Sequence, residues 1–262
     1  MSFYRWARAT YGIARRHPVQ ILVYQMGKVG STSVQRSLYD AGFSPLHVHY
    51  IHADLPHMER FTETEKDFPL HFYIGRVLRY YLAITSHRLK IVTLVRDPIA
   101  RFISAQFQML DHEPIPPDDA DAAVQQLRET IRSKPETVRF RWFEREMEPL
   151  LGVNPIEEPF DREAGYGRVE SSRADVLVLK LERLSELIPE VVSSFVGGEL
   201  SVTRANDGHE KDYASYYDSV LDQLSLTEET CRKIYNHEHV RHFYTSAEID
   251  RFVEKWTGCP VV

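Results

Sequence analysis

The sequence predicts an α/β fold in three layers, with a mainly parallel central sheet between helices and extra helices toward the C-terminal end. Three observations carry this expectation. The stretch from Ile21 to Val34, ILVYQMGKVGSTSV, opens as an apolar run and passes through a glycine-bearing loop into a helical pattern. A second apolar, β-branched run, Ile91 to Val95, leads into Arg96-Asp97-Pro98 and another helical pattern. Beyond them, strand-like and helix-like segments keep alternating, as parallel strands require.

Taken in order, residues 1–18 are a short basic amphipathic segment. Arg5, Arg8, Arg15 and Arg16 are set against Phe3, Trp6, Tyr11 and Ile13, and the segment reads as a surface helix capping the sheet and ended by Pro18. Strand 21–25 and helix 31–41 follow, the helix carrying Val34, Leu38 and Ala41 on one face with Gly42 as its stop. Leu46 to Tyr50 reads as a second strand and 52–65 as polar loop or loose helix. Leu70 to Ile74 reads as a short strand and 76–87 as a helix. Strand 91–95 has the unbroken apolar character of a central strand buried on both faces. Asp97 as N-cap and Pro98 at the first helical position start a helix over 98–110, with Ile99, Phe102, Ile103, Phe107 and Leu110 on its apolar side. Residues 111–122, with three prolines and five acids, read as a loop trailing that helix. Helices are expected over 120–133 and 136–151, then strands Gly165 to Glu170 and Asp175 to Leu181 across a Ser171-Ser172-Arg173 turn. A helix over 182–194 and an extended piece at 200–205 lead to C-terminal helices within 213–258, at 213–222, 227–236 and 246–256. With no internal repeat, 1–262 reads as a single domain.

The first loop has the makings of an anion cradle. Glycines let backbone approach an oxyanion, and the N–H groups of a first helical turn point at it. Lys28 adds a point charge, and Ser31, Thr32 and Ser33 add hydroxyls. The loop is P-loop-like but is no nucleoside-triphosphate loop: Lys28 follows the first glycine, Gly27, and Gly30 comes after it, so G-x-x-x-x-G-K-[ST] is absent. The plainer alternative is an ordinary strand-to-helix turn. At the second site, Arg96 ends a strand and Ser104 lies eight residues on, sharing a helix face with Asp97, Ala100, Arg101 and Gln108. The two can converge on one anion at the strand's carboxyl end, where open α/β sheets bind ligands. The plainer reading pairs Arg96 with Asp97 and leaves Ser104 solvated.

Together the two segments resemble the sulfotransferases that use 3′-phosphoadenosine 5′-phosphosulfate (PAPS). HVHYIH at 47–52, WFEREM at 142–147, PFDREAGY at 159–166, VLVLKLERL at 176–184 and HFYTSAEIDRFVEKW at 242–256 look like the bacterial sulfotransferase-like group of capsular polysaccharide synthesis proteins. The resemblance implies that Gly27, Lys28, Val29, Gly30, Ser31, Thr32 and Ser33 cradle the 5′-phosphosulfate and that Arg96 and Ser104 hold the 3′-phosphate. It implies sulfuryl transfer to a carbohydrate hydroxyl by in-line displacement, with adenosine 3′,5′-bisphosphate as product and no metal required.

The attacking hydroxyl needs a base, a task suited to histidine near neutral pH. His47 and His49 alternate on the expected strand and so share a face. Sulfotransferases acting on uronic-acid polysaccharides place a catalytic histidine in a segment resembling FYIGRV, 72–77, where this chain has Ile74 and Arg76 at the histidine positions. That departure moves the expected base to His49, acting with Lys28. His47, His52 and Arg76 are then candidates for holding the acceptor, Arg76 by steering an acidic one. For each histidine a structural hydrogen bond is the competing reading. His-x-His also suits zinc, but no Cys or carboxylate lies at matching short spacing, and no metal site is expected.

A formal net charge of −6 argues against a nucleic-acid coat. Two cysteines, in no metal spacing, make no disulfide framework and suggest a reducing compartment. No run of about 18 apolar residues occurs, so no transmembrane helix is expected. The N-terminal segment has no signal-peptide core, and its short apolar face makes peripheral membrane contact the weaker alternative to a surface helix. These points suggest a cytoplasmic enzyme; the oligomeric state is not legible. Two rivals stand beside the sulfotransferase: an ATP-dependent small-molecule kinase, which needs magnesium, and a non-catalytic nucleotide-binding module.

Overall fold

The computed structural model describes residues 3–16, 19–52, 70–108, 119–135, 141–203 and 214–258. Five strands, β1 (Ile21–Tyr24), β2 (Leu46–Val48), β3 (Leu89–Val95), β4 (Tyr166–Glu170) and β5 (Ala174–Lys180), form one sheet in the order β2-β1-β3-β5-β4. β2, β1, β3 and β5 run parallel, and β4 pairs antiparallel with β5 at the edge. Burial follows composition: every residue of β1 and β5 is buried, and in β3 all but Lys90. Edge strand β4 alternates exposed and buried positions, as a strand with one wet face does. Its turn into β5 is held by the Ser171 hydroxyl, which accepts from the backbone N–H groups of Arg173 and Ala174, each at 3.1 Å.

The helices α1 (Phe3–Ala14), α2 (Ser31–Asp40), α3 (Leu70–Ile84), α4 (Pro98–Gln108), α5 (Ala120–Ser133), α6 (Ala214–Gln223), α7 (Glu228–Tyr235), α8 (Glu238–Phe243) and α9 (Ser246–Thr257) complete the expected α/β sandwich. α1 packs on α3 rather than capping the sheet itself, with Ala9 and Ile13 buried and Trp6 edge-on to Tyr73 at 5.9 Å. α5 starts where the second half of the acidic loop was expected to end, with the Asp119 carboxylate accepting from Ala122 N at 2.9 Å. Among the described residues, no helix is long and apolar enough to cross a membrane.

Three expectations need correction. The short strand at Leu70 to Ile74 is instead the first turn and a half of α3, which ends at Ile84. Gly75 is not a break between elements; a Cβ there would stand 2.0 Å from the Tyr50 carbonyl oxygen, so glycine lets the helix lie on that backbone. The second strand stops at Val48, because residues 49–52 are held by side chains instead of a neighbouring strand. The helices expected over 136–151 and 182–194 are irregular: Phe143–Met147 and Ile188–Val192 are π-helical, each followed by a single α-turn. The short α8 was not foreseen. Pro18, residues 53–65, 111–118 of the acidic loop, and 204–213 lie outside the described residues.

Two buried charges fasten the C-terminal helices to the sheet's carboxyl edge. Asp97, 2 % exposed, caps α4 through Ile99 N at 3.0 Å and accepts from the Tyr235 hydroxyl at 2.7 Å and Trp256 Nε1 at 2.8 Å. Lys180, fully buried at the end of β5, donates to Glu248 at 2.6 and 2.8 Å and to the Arg162 carbonyl at 2.5 Å. A buried charge survives only with such complete partnering. Asp97 is therefore a structural hub and not the ion-pair partner of Arg96.

Candidate active site

The chain runs from β1 outward to β2, then returns past β1 to β3 on its other side. The loops after β1 and β3 thus diverge at a topological switch point, the crevice that open α/β sheets offer to ligands. Both expected anion elements lie there. Arg96 Nη1 donates to the Lys28 carbonyl at 3.0 Å, tying the two loops together.

The first loop has an unusual backbone. Lys28 takes a φ of 71° and Gly30 a φ of 83°, both left-handed. For lysine that conformation costs on the order of 1–2 kcal/mol, while for glycine it costs little. Left-handed residues within such loops turn N–H groups into a shared concavity suited to anions. Gly30 is fixed twice over, because a Cβ there would also lie 2.3 Å from Leu181 Cδ1. Val29 is fully buried and anchors the loop to the core, and Ser31 is nearly so at the first position of α2. Gly27, Lys28, Thr32 and Ser33 are half-buried, and Ser33 N turns back to the Gly30 carbonyl at 3.2 Å. Ser104 is half-buried on α4.

The histidines gather beside this loop. The His47 and His49 rings meet edge to face at 4.7 Å, and His71, from the start of α3, meets His49 at 5.7 Å. Burial drives all three toward the neutral form: His47 is pushed down to about 3 and His71 to about 4, each further depressed by the neighbouring imidazoles. His49 is lowered by burial and by the Lys28 charge, against the opposing effect of its bond to Gln25. That bond, from Nδ1 to the Gln25 carbonyl at 2.9 Å, fixes the tautomer. A carbonyl only accepts, so Nδ1 carries the proton and Nε2 the lone pair. Among the described residues, no group of three or more His, Cys, Asp or Glu side chains is placed to hold a metal.

The segment bearing His49 is gripped from the WFEREM stretch. Trp142 Nε1 donates to the His49 carbonyl at 2.8 Å. The buried Glu146 carboxylate accepts through one oxygen from Tyr24 Oη at 2.6 Å, Ile51 N at 2.8 Å and His52 N at 3.0 Å. The π-helical turn at Phe143–Met147 directs this carboxylate inward while Glu144 and Arg145 stay exposed. His52 is thus held by its backbone, its carbonyl also accepting from Arg79 Nη1 at 3.1 Å. Arg76 is half-buried on α3.

Lys28 thus lies beside Arg96 through its carbonyl and bears on His49 through its charge. Four residues of the neighbourhood escaped the reading of the two loops: His71, Arg101, Trp142 and Glu146. His71 was hidden by taking Leu70 to Ile74 for a strand. Arg101 had a visible signal, its three-residue spacing from Ser104 on one helix face. Trp142 and Glu146 act across the fold, and no local pattern announces them.

Several buried polar atoms here have no hydrogen-bond partner among the described residues: the side-chain amide of Gln25, His47 Nε2 and Arg101 Nε. Such orphans are rare in folded proteins. With the cationic loop and its left-handed backbone, they fit a polar, anionic ligand. Residues 119–245 match the family model described as "Putative capsular polysaccharide synthesis protein". The match takes in Trp142 and Glu146 but stops short of Lys28, His49, Arg96 and Ser104. Searches of curated proteins and of solved structures found no match.

Proposed function

We propose that this chain is a PAPS-dependent sulfotransferase acting on a hydroxyl of a carbohydrate. The observation that carries the reading is the hydrogen bond joining Arg96 to the Lys28 carbonyl, which ties the two loops together and supports their sharing one nucleotide. The family match supports a polysaccharide-related role, and a polysaccharide acceptor follows from it. When bound, PAPS supplies the sulfuryl group and a phosphate as leaving group.

In this reading Gly27, Val29 and Gly30 shape the loop, and Ser31, Thr32 and Ser33 add hydroxyl and backbone donors to the 5′ end. The Lys28 ammonium offsets charge developing on the departing phosphate oxygen. Arg96 and Ser104 hold the 3′-phosphate, the guanidinium through paired hydrogen bonds. The acceptor hydroxyl loses its proton to His49 Nε2, whose lone pair the Gln25 bond reserves for that task. Burial and Lys28 keep His49 neutral near pH 7, so the base is ready at the cost of some basicity. Trp142 holds its carbonyl, and Glu146 holds the N–H groups of Ile51 and His52 just beyond it. His47, His52 and Arg76 remain the proposed acceptor contacts. A kinase reading lacks the triphosphate loop's lettering.

The test is transfer of labelled sulfate from PAPS to acidic and neutral polysaccharides. Wild type is expected to label at least one acceptor. His49→Gln is expected to lose on the order of 100-fold or more in turnover, typical of a general base, while binding adenosine 3′,5′-bisphosphate as tightly as wild type. Undiminished turnover in His49→Gln removes the base assignment, and no labelling of any acceptor removes the sulfotransferase.

A further inference from the structure

We propose that Arg101 is a second guanidinium of the anion site, binding the same phosphate that Arg96 and Ser104 are assigned to hold. The proposal rests on the nucleotide reading above and adds to it a residue that reading does not contain.

Arg101 lies in the first turn and a half of α4, at the carboxyl edge of the sheet. It stands three residues before Ser104, so the two side chains leave the same face of the helix. Arg101 is half-buried, and its Nε is buried without a hydrogen-bond partner among the described residues. A buried guanidinium nitrogen without an acceptor is costly and uncommon. Its surroundings sharpen the anomaly. The charged group that bears on it is Arg96, of like sign, and the other neighbour is the Tyr50 phenol. Burial and the Arg96 charge both lower the Arg101 pKa, the direction expected of a cation without its counter-ion.

Two buried carboxylates among the described residues already have partners of their own. Asp97 is filled by Ile99 N, Tyr235 and Trp256. Glu146 accepts through one oxygen from Tyr24, Ile51 and His52. Arg96 itself spends one nitrogen on the Lys28 carbonyl and keeps the rest of its fork. Two guanidiniums of like charge thus bear on each other at the carboxyl edge of the sheet. A doubly charged phosphate resolves this, accepting from both forks at once and from the Ser104 hydroxyl.

The test measures binding by calorimetry for wild type, Arg101→Met and Arg101→Lys, with adenosine 3′,5′-bisphosphate and with adenosine 5′-phosphate, which lacks the 3′ group. Arg101→Met is expected to weaken bisphosphate binding about 10- to 100-fold, the worth of a charged hydrogen bond. It is expected to weaken monophosphate binding less than about 3-fold. Arg101→Lys keeps the charge but not the fork and falls between the two. Without ligand, Arg101→Met is expected to melt no lower than wild type, since it removes a buried nitrogen without a partner and a like charge beside Arg96; a scaffolding role for Arg101 would instead lower the melting temperature. If wild type binds the bisphosphate and Arg101→Met loses nothing, or loses equally with both nucleotides, the proposal is overturned while the nucleotide reading stands. An unchanged bisphosphate affinity with a raised acceptor KM overturns it too, and moves Arg101 to the acceptor. If wild type binds neither nucleotide, the nucleotide reading fails first and takes this assignment with it.

Discussion

Acid should weaken this fold well before its carboxylates are neutralised, because of the histidine cluster. His47 is depressed to about 3 and His71 to about 4 in the folded chain, against about 6.5 when unfolded. Each folded value lies below the unfolded one. Their contribution is therefore fully present above about pH 6.5 and is lost as pH falls toward the folded values, where the unfolded chain binds protons that the folded chain refuses. At pH 5 the unfolded imidazoles are mostly charged and the folded ones mostly neutral. With about 1.36 kcal/mol per pKa unit, each ring then costs about 2 kcal/mol relative to neutral pH. Both rings are half-buried, and solvent screening brings the sum to about 2–4 kcal/mol. That is a large share of the 5–15 kcal/mol typical of a domain, on the order of a third. Glu182, whose carboxyl burial pushes up as it accepts from Asp97 N, acts in the opposite direction. The assay is urea unfolding in steps from about pH 7.5 to 4.5, for wild type and for the double variant His47→Gln, His71→Gln. Wild-type stability should fall between pH 7 and 5, and the double variant should be nearly flat there. A wild type equally stable at both pH values, or a double variant falling just as steeply, would refute the reasoning.

Two further outcomes follow from side chains that build the site. Glu146→Gln removes the charge that three donors share and should cost about 2 kcal/mol of stability in chemical unfolding; it should also lower kcat by loosening the His49 segment, with bisphosphate affinity unchanged, and a loss of nucleotide affinity instead would detach Glu146 from the histidine side. Gly30→Ala meets both the left-handed backbone and Leu181, so bisphosphate binding should drop by at least about 10-fold, whereas wild-type affinity in that variant would show that the cradle does not depend on this geometry.

Where local signals and burial agreed, the sequence was readable. β1, its loop and α2 were visible because an apolar run, a glycine and a hydroxyl-rich helix start occur in that order. β3 and β5 were visible because strands buried on both faces are apolar throughout. The Asp-Pro start of α4 was visible as a cap, yet the same Asp97 also holds Tyr235 and Trp256, contacts more than a hundred residues away in sequence that no spacing announces. α3 was misread for a physical reason. Leu70 to Ile74 is apolar enough for a strand, and Gly75 looks like a terminator. Its buried positions, Phe72, Gly75, Leu78 and Leu82, keep helical spacing, and glycine is needed only where the helix meets the Tyr50 carbonyl. The strand-to-helix loops bearing Lys28 and Arg96 were legible because their signals are local. The grip of Trp142 and Glu146 on the His49 segment was not, because it joins elements far apart in the chain.

The most direct measurement is thermal unfolding of the wild-type chain with adenosine 3′,5′-bisphosphate, compared with ATP plus magnesium. The bisphosphate at about 100 times its Kd should stabilise the fold by about 2.7 kcal/mol, seen as a clear rise in Tm; Lys28→Met and Arg96→Met should each reduce that rise, and ATP with magnesium should give little. A rise with ATP and magnesium alone, or a bisphosphate effect untouched by both substitutions, would contradict the claim that Lys28 and Arg96 grip a single nucleotide.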